Sequence, residues 1–404
     1  MRPRRLSGAY RAALALVAAG MLLLPVLYVA LIAASAWGVW WHLTSHTWLL
    51  HGRSTQFHVL AYVVPGLVGS VVTFFLVKPV FAAPRRRAPA MTVASADEPE
   101  LFAFIDAICR QIGAPRPVAV RVDCQINAAA GFAGGVGSLL RRELVLTIGL
   151  PLAAGLSVRE LGGVLAHEFG HFAQGSGLRL TTLIRGVNTW FARVVYERDV
   201  WDLKLEEWSQ RGDVRVQMVL TGCRLGVWLS RRVLKSLMTG GLVISGFLSR
   251  QMEYDADSYE VQLAGSDAFV STMQRLRQLH VAARDCSRDL GSGLAHRTLP
   301  PDLPYLIVTR LGQLPAEMLA AAAEIPAQTS SYLDTHPRDG DRHAAAVSAG
   351  EVGILVGGEQ PAASLFRSFA ALSERASRHY YEHQLGLASF RPLAFGLVPP
   401  GASD

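Results

Sequence analysis

Two long stretches without a charged residue open the chain. The first runs from Ala12 to Trp37 and the second from Val59 to Val77. A helix needs about 20 apolar residues to cross a bilayer, so both runs predict spanning helices, with Pro65 tolerable inside one. The first run is too long for a signal peptide, whose apolar core is about 7–15 residues, although Ala33–Ala36 has the look of a cleavage site. From residue 98 the pattern is that of a folded domain. Glu98 to Ile112 repeats with helical period, Val118–Cys124 alternates like a strand, and Leu144–Ile148 reads as another. Between the strands, Asn127–Gly137 is glycine-rich and predicts a tight hairpin; no GK[ST] follows, so it is not a phosphate loop. Ser157–Gln174 predicts a helix with a capping box from Ser157 to Glu160 and an apolar stripe of Leu161, Val164, Leu165, Phe169 and Phe172.

The middle of the chain is mixed. Residues 196–213 are charged and predict a surface helix. Val214–Ser249 is apolar but interrupted by Arg215, Arg224, Arg231, Arg232 and Lys235. Gln217, Thr221, Arg224, Trp228, Arg231 and Lys235 share one helical stripe, the pattern of an interfacial helix with snorkelling basic side chains. The expectation is a helical pair on a membrane surface, with a second spanning hairpin as the alternative. Helices are expected again to about Leu263 and over Asp267–Arg284, then a Pro-rich irregular stretch over Thr298–Pro315 and an amphipathic helix over Ala362–Leu387. The resulting organisation is a membrane hairpin over 1–83, a linker over 84–98, a domain over 99–395 with a membrane-associated insertion over about 178–249, and a tail over 396–404.

Charge sets the orientation. Arg2, Arg4, Arg5 and Arg11 precede the first run; Lys78, Arg85, Arg86 and Arg87 follow the second, while the loop between carries Arg53 as its one formal charge. Basic residues favour the cytoplasm, so both ends of the hairpin are expected there, in a multi-pass protein of the inner (plasma) membrane with its domain cytoplasmic. The net charge of +7 therefore points to the bilayer. No nucleic-acid motif is present, and no nucleic-acid partner is expected. Cys109, Cys124, Cys223 and Cys286 lie far apart without a CxxC and read as free thiols in a reducing compartment.

The chemistry sits in the Ser157–Gln174 helix, at His167-Glu168-Phe169-Gly170-His171. Residues four apart share a helix face, so His167 and His171 can converge on one metal ion, with Glu168 beside it as a general base. A catalytic zinc usually takes three protein ligands. Glu253 and Asp257, also four apart, begin 82 residues beyond His171 (253 − 171) and supply one metal ligand, Glu253, and one acceptor to orient an imidazole, Asp257. Asp255 and Glu260 are rivals for those roles.

HExxH followed by Arg250, Glu253, Ala256 and Asp257 resembles the membrane gluzincins, which include HtpX-type heat-shock proteases and the CAAX prenyl-protein endopeptidases. The resemblance implies an α+β zincin fold, mostly helical with a small sheet, a Zn2+ cofactor, and protein or peptide substrates. It also implies that the Asn127-Ala128-Ala129 segment is an edge strand beside the active-site helix, able to pair with an extended peptide. Asp334-Thr-His336-Pro337 and Arg342 are similar to the family's Thr-His-Pro and acidic-Arg signature. His336 is thereby expected to bind the substrate carbonyl or contact the metal, and Arg342 to be a structural or oxyanion partner. The implied function is zinc-dependent endopeptidase action in quality control of misfolded membrane proteins. Prenyl-CAAX processing and a non-proteolytic membrane scaffold are the alternatives; the general base Glu168 argues against the scaffold.

Overall fold

The computed structural model describes residues 8–50, 56–81, 90–132, 143–173, 184, 186–192, 195, 214–296, 298–324, 337–387 and 391–392. The two charge-free runs form α1 (Gly8–Ser45) and α2 (Gln56–Phe81), both long and apolar enough to cross a membrane. They pack as a hairpin in which small residues allow close approach. A Cβ at Gly69 would stand 2.7 Å from Val39 Cγ2, and Ser35 and Thr73 hydroxyls meet at 2.8 Å. Most of the large side chains on the outside of this hairpin are exposed, among them Leu23, Val26, Trp37, Trp40 and Leu60.

Four strands make a small mixed sheet in the order β1-β2-β4-β3: β1 (Met91–Val93), β2 (Ala119–Asp123), β3 (Ala128–Phe132) and β4 (Leu144–Gly149). β2 and β4 run parallel, with Val120 beside Leu146, while β1 and β3 flank them antiparallel. β1 corrects the sequence reading, in which Met91–Val93 belonged to the linker; three residues are too few to show alternation. Asn127–Gly137, expected as a tight hairpin, instead supplies the strand β3 over Ala128–Phe132, paired antiparallel with β4 across a connection that lies outside the described residues. α3 (Pro99–Ile112) covers the sheet with Leu101, Ile105, Ile108, Cys109 and Ile112. The spacing of these residues puts them on one face, and the helix stops at Gly113, whose φ of 78° suits glycine.

β4 passes through a short α4 (Leu150–Gly155) into α5 (Val158–Ala173), the motif helix. The capping box forms as expected. Ser157 N–H donates to Glu160 Oε2 at 2.8 Å, and Glu160 N–H donates to Ser157 Oγ at 3.2 Å. Leu161, Leu165 and Phe169 are fully buried in the same core as Leu146 and Ile148. α7 (Ser266–His296), α8 (Leu303–Gln313), α9 (Ala316–Ala323), α10 (Asp339–Ala349) and α11 (Phe369–Gln384) complete the domain. α8 corrects the expectation that Thr298–Pro315 is irregular. Pro304 occupies the first turn, where a missing N–H costs nothing, and Asp302 caps the helix by accepting from Tyr305 N–H at 2.8 Å.

The largest departure from expectation is α6 (Val214–Ala264), one continuous helix of 51 residues. Its first half lies lengthwise along the hairpin. Cβ atoms at Gly226 and Gly241 would stand 2.2 Å from Val72 Cγ2 and 2.9 Å from Leu24 Cδ1, and Gly20 faces Ile244. The pairing of Leu24 with Gly241 and of Gly20 with Ile244 makes α6 antiparallel to α1. Leu234, Met238 and Leu248 share a core with Met21, Tyr28 and Leu76, joined by Ile184 and Phe191. Arg224, Trp228 and Lys235 are on the exposed side, as their stripe predicted. The second half of α6 leaves the hairpin and enters the domain beside α5.

Candidate metal centre

α5 and α6 meet through small residues. A Cβ at Gly170 would stand 2.8 Å from Tyr259 Cδ2 and 3.3 Å from Ala256 Cα, and one at Gly163 would stand 3.1 Å from Ala264 Cβ. These contacts bring the HExxH face of α5 against the acidic face of α6. Gly170→Val is expected to force the helices apart, at about 1–3 kcal/mol of overpacking. A lowered melting temperature with weaker metal retention would show it; an unchanged melting temperature would contradict the close approach.

The four residues named from spacing come together. His167 Nε2 lies 3.5 Å from Glu253 Oε2, and His171 Nε2 lies 3.8 Å from Glu253 Oε1. The other face of His167 is occupied by Asp257, whose Oδ1 is 2.9 Å from Nδ1. Glu253 thus faces the Nε2 atoms and Asp257 faces Nδ1. Arg342, on α10, grips Asp257 with two hydrogen bonds, Nε to Oδ2 at 2.8 Å and Nη2 to Oδ1 at 2.6 Å, and its guanidinium lies over the Phe269 ring. Asp255 is buried elsewhere on α6, accepting from Gln251 at 3.2 Å. Glu260 is closer, with Oε2 at 3.7 Å from His167 Nδ1. His336 lies outside the described residues.

Glu168 points to the sheet. Its Oε2 accepts the backbone N–H of Ala130 at 3.1 Å. Ala130 is the centre of β3, which ends the sheet order and presents its outer edge to α5. This backbone donor had no signal in the sequence, because 38 residues separate it from Glu168.

A divalent metal fits this donor set. In a tetrahedral zinc site with bonds of 2.0–2.2 Å, ligand atoms are about 3.4 Å apart. The observed separations of 3.5 and 3.8 Å are close to that value, and the ligand atoms of His167, His171 and Glu253 all fall within 4.8 Å of one another. The electrostatics agree. Glu253, Asp257 and Glu260 are buried with Glu168 nearby, and the Arg342 guanidinium is bound to Asp257. Burial alone would lower the His167 pKa, yet hydrogen bonds to Asp257 and Glu253 and the surrounding carboxylates hold it well above the usual histidine range. For Glu260, burial pushes the carboxyl up to about 7. For Asp257, burial acts in the same upward direction but is outweighed by Arg342 and His167, which hold its carboxyl below the ordinary value. Surroundings that retain a proton on His167 also attract a dication, which would take the proton's place.

Comparison with known proteins follows the same lines. The model of peptidase family M48 matches residues 95–349. Among curated proteins, a Protease HtpX homolog of Methylacidiphilum infernorum is 27% identical over 139 residues, 34% of this chain and 44% of that protein. Protease HtpX of Shewanella denitrificans is 29% identical over 45% of this chain and 60% of its own length. Protease HtpX of Pseudomonas putida (strain GB-1) is 29% identical over 52% of this chain and 67% of its own length. The chain thus spans about half the length of the first two relatives.

Proposed function

This chain belongs to peptidase family M48, and from that premise we propose that it is a membrane-anchored, zinc-dependent endopeptidase. The observation that carries the reading is the convergence of His167, His171 and Glu253 beside Glu168. His167, His171 and Glu253 would hold the ion, and Asp257, fixed by Arg342, would orient His167. When bound, a zinc ion would lower the pKa of its water to ~7 and add Lewis-acid polarisation of the scissile carbonyl. Glu168 would take the water proton on its carboxylate and pass it to the leaving amine. The Ala130 N–H holds one oxygen of that carboxylate in place. The outer edge of β3 is suited to receive an extended peptide by main-chain hydrogen bonds. Detergent-purified protein is expected to contain about one zinc per chain and to cleave casein or itself. A chelator should abolish cleavage and added zinc restore it. Cleavage that persists with the metal removed would sink the reading.

The biology we infer is quality control of membrane proteins, with the catalytic domain on the cytoplasmic side of the plasma membrane. α1 and α2 anchor the chain. The antiparallel packing of α6 on α1 favours a second hairpin, in which the first half of α6 runs beside the first hairpin instead of lying across the surface. Reporter fusions after Arg87 are expected to read cytoplasmic. Fusions near Arg53 and after Asp213 are both expected to read external, since the start of α6 lies toward the tryptophan-rich end of α1. A cytoplasmic signal after Asp213 would return α6 to the membrane surface.

A further inference from the structure

One buried carboxylate beside the metal centre has no part in the hydrolysis outlined above. Glu260 lies about one turn beyond Asp257 on α6 and is 5% exposed. Its Oε2 is 3.7 Å from His167 Nδ1, the nitrogen that Asp257 Oδ1 approaches to 2.9 Å. α5 makes room for it. A Cβ at Gly163 would stand 3.2 Å from Glu260 Cγ and 3.5 Å from its Oε1. Burying a carboxylate is costly unless polar neighbours compensate, so a helix contact alone does not account for a glutamate at this position. The atoms of His167, Asp257 and Glu260 fall within 4.8 Å of one another, a spacing that would admit a second cation. The Arg342 guanidinium already binds both oxygens of Asp257 and fills that role. What remains for Glu260 is the imidazole.

Resting on the reading of His167 as a metal ligand, we propose that Glu260 is a positioning residue of the metal centre. It closes the side of the His167 ring that Asp257 leaves open, and so fixes the direction in which Nε2 is presented beside Glu253. At 3.7 Å its oxygen is beyond a hydrogen bond to the resting ring. It stands as a polar wall that meets the Nδ1–H when the ring rocks away from Asp257. Ring orientation set from this side of a ligand histidine controls how well the opposite nitrogen donates.

The test compares Glu260→Gln, which keeps the shape and an acceptor oxygen, with Glu260→Met, which keeps the bulk without one. Both are made in the full chain in detergent. Zinc affinity is read by competition with a chromophoric chelator, and ligand geometry by the visible spectrum of the cobalt-substituted protein. Glu260→Met is expected to bind zinc about 10–100-fold more weakly and to alter the cobalt spectrum, with Glu260→Gln restoring both. A Glu260→Met protein equal to the parent in both measurements overturns the proposal, as does a Glu260→Gln protein no better than Glu260→Met. If Glu260→Met does not fold, Gly163→Ala carries the test. Its added methyl would stand 3.2 Å from Glu260 Cγ and 3.1 Å from Ala264 Cβ and changes no polar group, so an unchanged cobalt spectrum overturns the proposal and a spectrum shifted at an unchanged melting temperature supports it. A parent chain that binds neither ion overturns the metal-centre reading and this proposal together. A binding parent with an equally binding Glu260→Met overturns this proposal alone.

Discussion

Glu168→Gln is expected to keep its metal and lose turnover. The substituted side chain has the same shape, and its amide oxygen can still accept the Ala130 N–H that Glu168 Oε2 accepts at 3.1 Å. The three proposed ligands are untouched. What disappears is the ability to take a proton from water and return it to the leaving amine. General acid–base catalysis contributes about 10²–10⁴-fold, so peptidase activity should fall by at least that range. Zinc content and casein cleavage measured on the same preparation check both halves of the expectation. Full activity with glutamine at 168 would end the proposed mechanism.

The second large effect separates two carboxylates one turn apart. Glu253→Ala and His167→Ala are each expected to lose the metal, since each removes one of three donors. Asp257→Ala should be milder, about 10–100-fold in metal affinity or activity, because its carboxylate meets Nδ1 and not the metal-facing nitrogens. Metal analysis and activity of the three variants side by side decide the matter. If Asp257→Ala were as damaging as Glu253→Ala, the two roles would have to be exchanged.

Local spacing made much of this site legible in the sequence. His167 with His171, and Glu253 with Asp257, are each related by one helical turn, so the geometry of a single helix brings each pair to one face. The Ser157–Glu160 capping box and the spans within α1 and α2 are local in the same sense. What escaped depends on contacts across long separations or on context. Pro304 reads as a breaker until its place in the first turn of α8 is known. Met91–Val93 is a strand because Val122, Arg121 and Val120 pair with it, not because its own pattern alternates. Arg224, Arg231, Arg232 and Lys235 interrupt the apolar run of α6, yet Gly226 and Gly241 on the other side of the same helix seat it against α2 and α1. The Ala130 N–H on Glu168 belongs to the backbone, where no side-chain pattern can announce it.

The unbroken course of α6 fixes the height of the proposed metal centre above the hairpin. Leu248 is packed with the hairpin, and Glu253 lies five residues further along the same helix (253 − 248). At about 1.5 Å per residue this is roughly 7.5 Å along the axis. An extended polypeptide covers that distance in about two or three residues. On the proposed peptidase reading, the absence of a hinge between anchor and ligand would set the scissile position of an anchored substrate by the number of residues from the point where it leaves the bilayer. Bonds in short juxtamembrane segments would then come within reach, whereas bonds far along a folded soluble domain would do so only once that domain has unravelled toward the membrane.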